Sequence, residues 1–164
     1  MSTRSVVHPF APVSNAHSRI LILGTMPSVG SREAGFYYGH PRNRFWSVLA
    51  ECFGKSLPQT VEEKTRLLLD HNIALWDVLA SCNISSSDDA SIRESVPNDI
   101  VNFMGGKQIH KILCNGKKAY QLYNRFFNFP LPALPMPSTS SANAAWRLDR
   151  LIDAWKPELK IDIT

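Results

Sequence analysis

Ile20-Leu21-Ile22-Leu23 is an unbroken apolar run closed by Gly24. A strand buried on both faces has this pattern, because neither side of it meets water. Similar runs recur at residues 73–79 (IALWDVL) and 109–114 (IHKILC). Between these runs the apolar spacing changes to that of helices. Phe45, Leu49, Cys52 and Phe53 fall on one helical face, and Thr60 with Glu63 forms a capping box that opens a helix through Leu67 to Leu69. Ala119, Leu122, Tyr123, Phe126 and Phe127 repeat the helical spacing, as do Leu148, Leu151, Ile152 and Trp155. Alternating strands and helices predict an α/β fold: a parallel sheet covered by helices on both faces, with ligands bound beyond the carboxyl ends of the strands.

Two stretches lack periodicity, from Thr25 to about Arg42 and from about Asn128 to Ser141, the second with prolines at 130, 132, 135 and 137. Loops this long are uncommon in a compact domain unless they function. Proline also forbids helix and limits strand pairing. Both stretches are expected to meet at the carboxyl edge of the sheet, where residues 85–91 (SSSDDAS) join them. At 164 residues the chain suits one domain. Residues 18–164 are expected to form it, and residues 1–17 a flexible N-terminal extension.

With 44% hydrophobic and 20% charged residues the composition is that of a globular protein. No apolar run approaches the roughly 18 residues of a membrane span, and the first residues lack a signal-peptide core, so the expectation is a cytoplasmic protein without membrane contact. Cys52, Cys82 and Cys114 lie too far apart for a disulfide framework or a paired metal knuckle. Reduced thiols, no metal and no cofactor are therefore expected.

The formal net charge is +4, but the charges are segregated: residues 100–148 hold six Lys or Arg and no acid, whereas residues 51–99 hold four against nine. A long basic stretch without carboxylates suits a polyanion such as nucleic acid, although a solvated surface has the same composition. The loop Gly24-Thr-Met-Pro-Ser-Val-Gly-Ser31 invites a phosphate-cradle reading, but it has neither the Gly-Lys-Ser/Thr ending nor the GxGxxG spacing of nucleotide loops. The chain has no GxSxG elbow and no HExxH pair. What stands out is Phe36-Tyr-Tyr-Gly-His-Pro-Arg-Asn-Arg-Phe-Trp46, which sets aromatic rings, arginines, an imidazole and an amide just before a helix. Rings stack on bases, arginines reach phosphates and amides read base edges. Phe45 and Trp46 open the amphipathic helix and are expected in the core, whereas Tyr38 and His40 are placed in the loop.

Gly24-Thr-Met-Pro-Ser, Tyr37-Tyr-Gly-His-Pro-Arg-Asn-Arg-Phe-Trp46, Leu75-Trp-Asp-Val-Leu79, Cys114-Asn-Gly-Lys117 and Leu134-Pro-Met-Pro-Ser-Thr-Ser-Ser-Ala-Asn143, in this order, resemble the hypoxanthine-DNA glycosylase branch of the uracil-DNA glycosylase superfamily. The resemblance spans about residues 18–155. It implies a three-layer α/β/α fold with a central, mainly parallel sheet, no metal, and hydrolysis of the N-glycosidic bond of a deaminated base flipped out of DNA, hypoxanthine first, with uracil or xanthine as slower substrates. It places Tyr38 where a ring stacks on the flipped base, Asn43 at a catalytic position, and Ser138, Thr139, Ser140 and Ser141 on a loop pressed into the minor groove. Gly24, Met26, His40, Asp77 and Asn115 are its further pocket candidates. Arg42, Lys117, Lys118, Pro137 and Asn143 are candidate DNA contacts. Met26 stands where most of the superfamily carries a water-activating Asp or Asn, and Met136 where other branches carry His or Asn. Both departures fit the hypoxanthine branch and argue against efficient uracil excision. The implied partner is DNA containing deaminated bases, met by a monomer, with abasic-site repair enzymes downstream.

The chemistry narrows the roles. Breaking a base–sugar bond builds positive charge on the sugar and negative charge on the leaving base, so the site needs donors to the base and a placed water. Asn43 and Asn115 are neutral, able to position water or to donate but not to act as strong bases. Asp77 is the one carboxylate near the expected site, a base, a base reader or a cap of a nearby amide. Hypoxanthine presents O6 beside N1–H, uracil presents O4 beside N3–H, and adenine reverses the pattern. An Asn amide suits the first two and rejects the third. Lys117 and Lys118 are expected to contact phosphate; one of them desolvated in the pocket would open a Schiff-base route instead. A uracil-specific enzyme, a nucleic-acid-binding module without catalysis and a nucleoside hydrolase remain alternatives.

Overall fold

A computed structural model describes residues 4–84 and 95–160. Its central sheet holds four parallel strands in the order β3-β2-β6-β7: β2 (Ile20–Gly24), β3 (Ile73–Asp77), β6 (Lys111–Asn115) and β7 (Ala133–Met136). A second, antiparallel sheet runs β1-β4-β5, from β1 (Arg4–Val7), β4 (Leu79–Ile84) and β5 (Val96–Pro97). The helices are α1 (Val29–Ala34), α2 (Phe45–Phe53), α3 (Val61–Asp70), α4 (Ile100–Met104), α5 (Lys117–Phe126) and α6 (Leu148–Glu158).

The unbroken apolar runs are explained by covering on both sides. Ile20, Ile22, Ile73, Leu75 and Leu113 pack toward Trp46 and Leu49 of α2, Leu67 and Leu68 of α3, and Leu151 and Trp155 of α6. Leu21, Leu23, Ala74, Ile112 and Cys114 point the other way, against Ile100 and Met104 of α4 and Ala119, Leu122 and Tyr123 of α5. This is the three-layer α/β/α arrangement.

Three expectations are corrected. The apolar run at 73–79 is not one strand. Parallel pairing stops at Asp77, the Val78 and Leu79 amides bond to the Gly24 and Thr25 carbonyls, and the chain leaves as antiparallel β4. The proline-rich stretch contains a strand after all: β7 is the edge of the sheet, so the N–H that Pro135 lacks is not needed by a further neighbour. Residues 1–17 are not a detached extension from residue 4 onward. β1 pairs with β4, Val13 bridges to Leu75, and the Tyr37 hydroxyl donates to the Ala11 carbonyl at 2.8 Å.

The first irregular loop carries α1, too short for a periodic signal. Ser28 caps it by accepting from the Ser31 amide, and Ser31 in turn accepts from the Gly39 amide. These serines are committed to holding the loop, which answers the phosphate-cradle reading of this segment. Residues 85–91 lie outside the described residues. No helix among the described residues is long and apolar enough to cross a membrane.

Candidate active site

Parallel register sets Gly24 of β2 opposite Asp77 of β3, while Leu23 pairs with Cys114, one residue before Asn115 of β6. The three strand ends therefore deliver Gly24, Asp77 and Asn115 to one edge. There they line a cavity of about 210 Å³, roofed by the loop before α2 and the loop after β7. Drug-sized sites run to roughly 300–1,000 Å³, so this volume suits a single heterocycle.

Asp77 forms the floor. Its side chain is 5% exposed, and Oδ2 accepts from His8 Nε2 at 2.8 Å. Burial raises the Asp77 carboxyl above its ordinary pKa, and the His8 ring and the Gly24 backbone pull it partway back. Glycine is required at 24: a Cβ there would lie 2.4 Å from Asp77 Oδ1 and 2.7 Å from the Tyr38 hydroxyl.

Tyr38 is the aromatic wall. Its φ of 52° lies in the left-handed region, a conformation that costs a non-glycine residue on the order of 1 kcal/mol and concentrates at functional sites. In this pose one ring face stacks on Phe45, with centroids 4.0 Å apart and planes at 22°. The Tyr38 hydroxyl is buried and bonds to no group among the described residues. Burial, then the negative charge of Asp77, pushes its pKa upward, so it stays a neutral donor.

Asn43 sits at the half-buried rim, and its carbonyl end is already used. Oδ1 accepts from the Phe45 amide at 3.0 Å and from the Thr139 hydroxyl at 2.9 Å. Its NH2 group is left as the end that can meet a ligand, so Asn43 is a donor here and not a base. Asn115, the other amide, is committed on both sides: Nδ2 donates to Thr139 Oγ1 at 3.0 Å and Oδ1 accepts from the Thr139 amide at 3.1 Å. It lines the pocket as a brace.

The structure corrects two sequence-derived placements. Thr139, expected on the DNA-facing surface, is 1% exposed and joins Asn43 to Asn115. His40, expected in the pocket, is exposed and covers Gly30 instead, where the space a Cβ would need is taken by its ring. Met26, Ser138 and Ser140 line the pocket. Arg42, Lys117, Lys118 and Ser141 are exposed outside it, and Asn143 holds the Ser138 carbonyl through Nδ2. The Pro137 carbonyl accepts from the Trp155 indole at 3.0 Å, tying the loop to α6. The basic stretch is divided rather than continuous: Lys111 starts β6 at the far end of the sheet and pairs with Glu158 at 3.3 Å, whereas Lys117 and Lys118 open α5 beside the site. Burial pushes the Cys114 thiol up to about 12, which makes it a packing group.

Arg44 was not singled out by the sequence, because it follows the more conspicuous Arg42 and Asn43. Its guanidinium donates to the carbonyls of Thr139, Ser140, Asn143 and Trp146, with the Ser140 bond at 2.7 Å. One planar fork thus shapes the loop after β7. Arg44→Ala is expected to destabilise the fold by about 2 kcal/mol, the range for hydrogen bonds to a charged group, and to loosen the loop. Denaturant melts check the first effect. Lysine at 44 recovers only part of it, since a point charge cannot hold several carbonyls in plane.

Comparison with known proteins agrees with this fold. Residues 11–160 match the family model described as the uracil DNA glycosylase superfamily. The chain is 33% identical over 146 residues to a hypoxanthine DNA glycosylase of Methanosarcina acetivorans, covering 86% of this chain and 90% of that one. It is 35% identical over 114 residues to a hypoxanthine DNA glycosylase of Methanosarcina barkeri, covering 67% and 71%. Among solved structures, the solution NMR structure of a candidate uracil DNA glycosylase from Methanosarcina acetivorans superposes with a TM-score of 0.77 at 28% identity, covering 93% of this chain and 95% of that one. With the strand-end pocket in place and the family model spanning nearly the whole domain, the chain belongs to the uracil DNA glycosylase superfamily.

Proposed function

We propose that the protein is a monofunctional DNA glycosylase that hydrolyses the N-glycosidic bond of a deaminated base, hypoxanthine foremost, flipped out of DNA. The observation that carries this reading is the presence of a buried acceptor, the Asp77 carboxylate, and a donor, the Asn43 amide, in one pocket walled by Tyr38. Depth sorts the roles. Asp77 at the floor meets the far edge of an inserted base and accepts its ring N–H. Asn43 at the rim lies nearest the sugar side, where its N–H stabilises negative charge on the departing base. Tyr38 offers its open face for stacking. Adenine, with a bare N1, would set a lone pair against the carboxylate.

The names of the relatives support the same substrate class. None of the described residues lining the pocket is a lysine, so no amine stands ready for a Schiff base, and the product is an intact abasic site for downstream repair enzymes. Lys117, Lys118, Arg42 and the exposed Ser141 flank the mouth as DNA contacts for a protein that acts as a monomer. The experiment is incubation with duplexes carrying one deoxyinosine, one deoxyuridine or only normal bases, in chelator, with and without alkali. Strand breaks at inosine that need alkali are expected, with a slower reaction at uracil. Breaks without alkali contradict the monofunctional assignment, and salt-sensitive binding with no abasic product leaves a binding module.

A further inference from the structure

Asp77 does not stand alone, and the group behind it comes from the segment the sequence set outside the domain. His8 follows β1, and its side chain is 4% exposed. Its ring sits between Phe10 and Tyr37, with centroids 5.9 and 5.7 Å away. Nδ1 accepts from the Phe10 amide at 3.1 Å and so carries no proton in that arrangement. Nε2 must then carry the proton, and it donates to Asp77 Oδ2. With Oδ2 committed, Oδ1 is left over Gly24, where an added Cβ would lie 2.4 Å from it and 2.7 Å from the Tyr38 hydroxyl.

We propose that His8, supplied by the N-terminal arm, is a positioning residue that fixes the Asp77 carboxylate with Oδ1 toward the pocket, and thereby sets which hydrogen-bond pattern of base the enzyme accepts. The proposal rests on the reading of Asp77 as the acceptor for the ring N–H. Its physical content is a fixed tautomer chain: backbone N–H to Nδ1, Nε2–H to Oδ2, Oδ1 to the base. The domain therefore has no complete specificity pocket without residues 8–10. A single histidine in an aperiodic N-terminal stretch gives no sequence signal for this role.

The titratable groups around Asp77 are His8 from the arm and Tyr37 and Tyr38 from the loop, with Cys114 of β6 beyond Tyr38. Excision is expected to fall at acid pH as Asp77 takes up a proton and can no longer accept. His8→Phe keeps the aromatic packing and removes the donor. A loss of about 10- to 100-fold in single-turnover excision is expected, the usual cost of an orienting partner, with the acid limb moved to higher pH. His8→Gln restores an N–H at the same reach and is expected to recover most of the rate and return the limb. In an Asp77→Asn background His8→Phe should cost nothing further and should recover part of the rate, because the amide is then free to turn its oxygen to the pocket.

Equal losses in both His8 variants with an unmoved acid limb would reduce His8 to a packing residue and overturn the proposal, as would full activity in His8→Phe. A nitrogen-detected NMR spectrum of the wild-type imidazole reads the tautomer independently of activity. A proton on Nε2 is expected, with a resonance displaced in Asp77→Asn; a proton on Nδ1 overturns the arrangement. If the wild type releases no base, the functional reading fails, and the NMR result alone decides the His8–Asp77 arrangement.

Discussion

Asn43→Ala should lower single-turnover release of hypoxanthine by about 10²- to 10³-fold, the cost of removing one donor from a developing negative charge. The substitution also removes two structural bonds, because Asn43 Oδ1 holds the Phe45 amide and the Thr139 hydroxyl. A stability loss of about 1 kcal/mol is expected from them. Asn43→Asp separates the two effects. It keeps an acceptor for Phe45 and Thr139 but offers the pocket an oxygen in place of the NH2 group. The fold should hold while excision falls as far as in the alanine variant. A near-normal rate in Asn43→Asp would transfer the donor role elsewhere and refute the assignment.

Asp77→Asn is the second large effect, and its sign differs for activity and stability. The Nε2–H of His8 needs an acceptor, so it turns the oxygen of the introduced amide toward itself and the NH2 group into the pocket. A donor then faces the ring N–H of hypoxanthine, and excision should fall by about 10²-fold, as expected when a charged hydrogen bond is replaced by a donor–donor clash. Stability moves the other way. The folded pKa of Asp77 is raised by burial, so the group favours folding fully below its unfolded value near 3.8 and loses that contribution as pH rises through the folded pKa. Above the folded pKa the ionised carboxylate is a net cost, and the amide removes it. Thermal melts should show Asp77→Asn more stable than wild type near neutral pH, with the gap closing toward pH 3.8. A variant less stable at neutral pH would contradict the burial argument.

The sequence revealed the scaffold of the site more readily than its wiring. Apolar runs such as Ile20–Gly24 showed strands covered on both sides, which brings Gly24 and Asn115 to the carboxyl edge, whereas the run through Leu79 hid the strand end at Asp77. The short elements were hidden. α1 spans too few residues for a periodic face, and β7 is masked by prolines that only an edge strand tolerates. The hidden contacts are long-range. Arg44 meets Ser140 across 96 positions and His8 meets Asp77 across 69, and no local spacing encodes either. Thr139 reads as one hydroxyl among several in Ser138-Thr-Ser-Ser141, and only burial marks it as the joint between two asparagines. The left-handed backbone of Tyr38 is likewise imposed by the surrounding fold.

The most direct test is to identify the released molecule. A duplex with a single deoxyinosine, incubated in single turnover with wild type and with Asn43→Asp side by side, would be analysed by mass spectrometry for free base. Free hypoxanthine is expected from the wild type in step with alkali-sensitive sites, and little from the variant. Equal amounts from both proteins, or alkali-sensitive sites at normal bases as often as at inosine, would contradict the assignment of Asn43 and of the substrate.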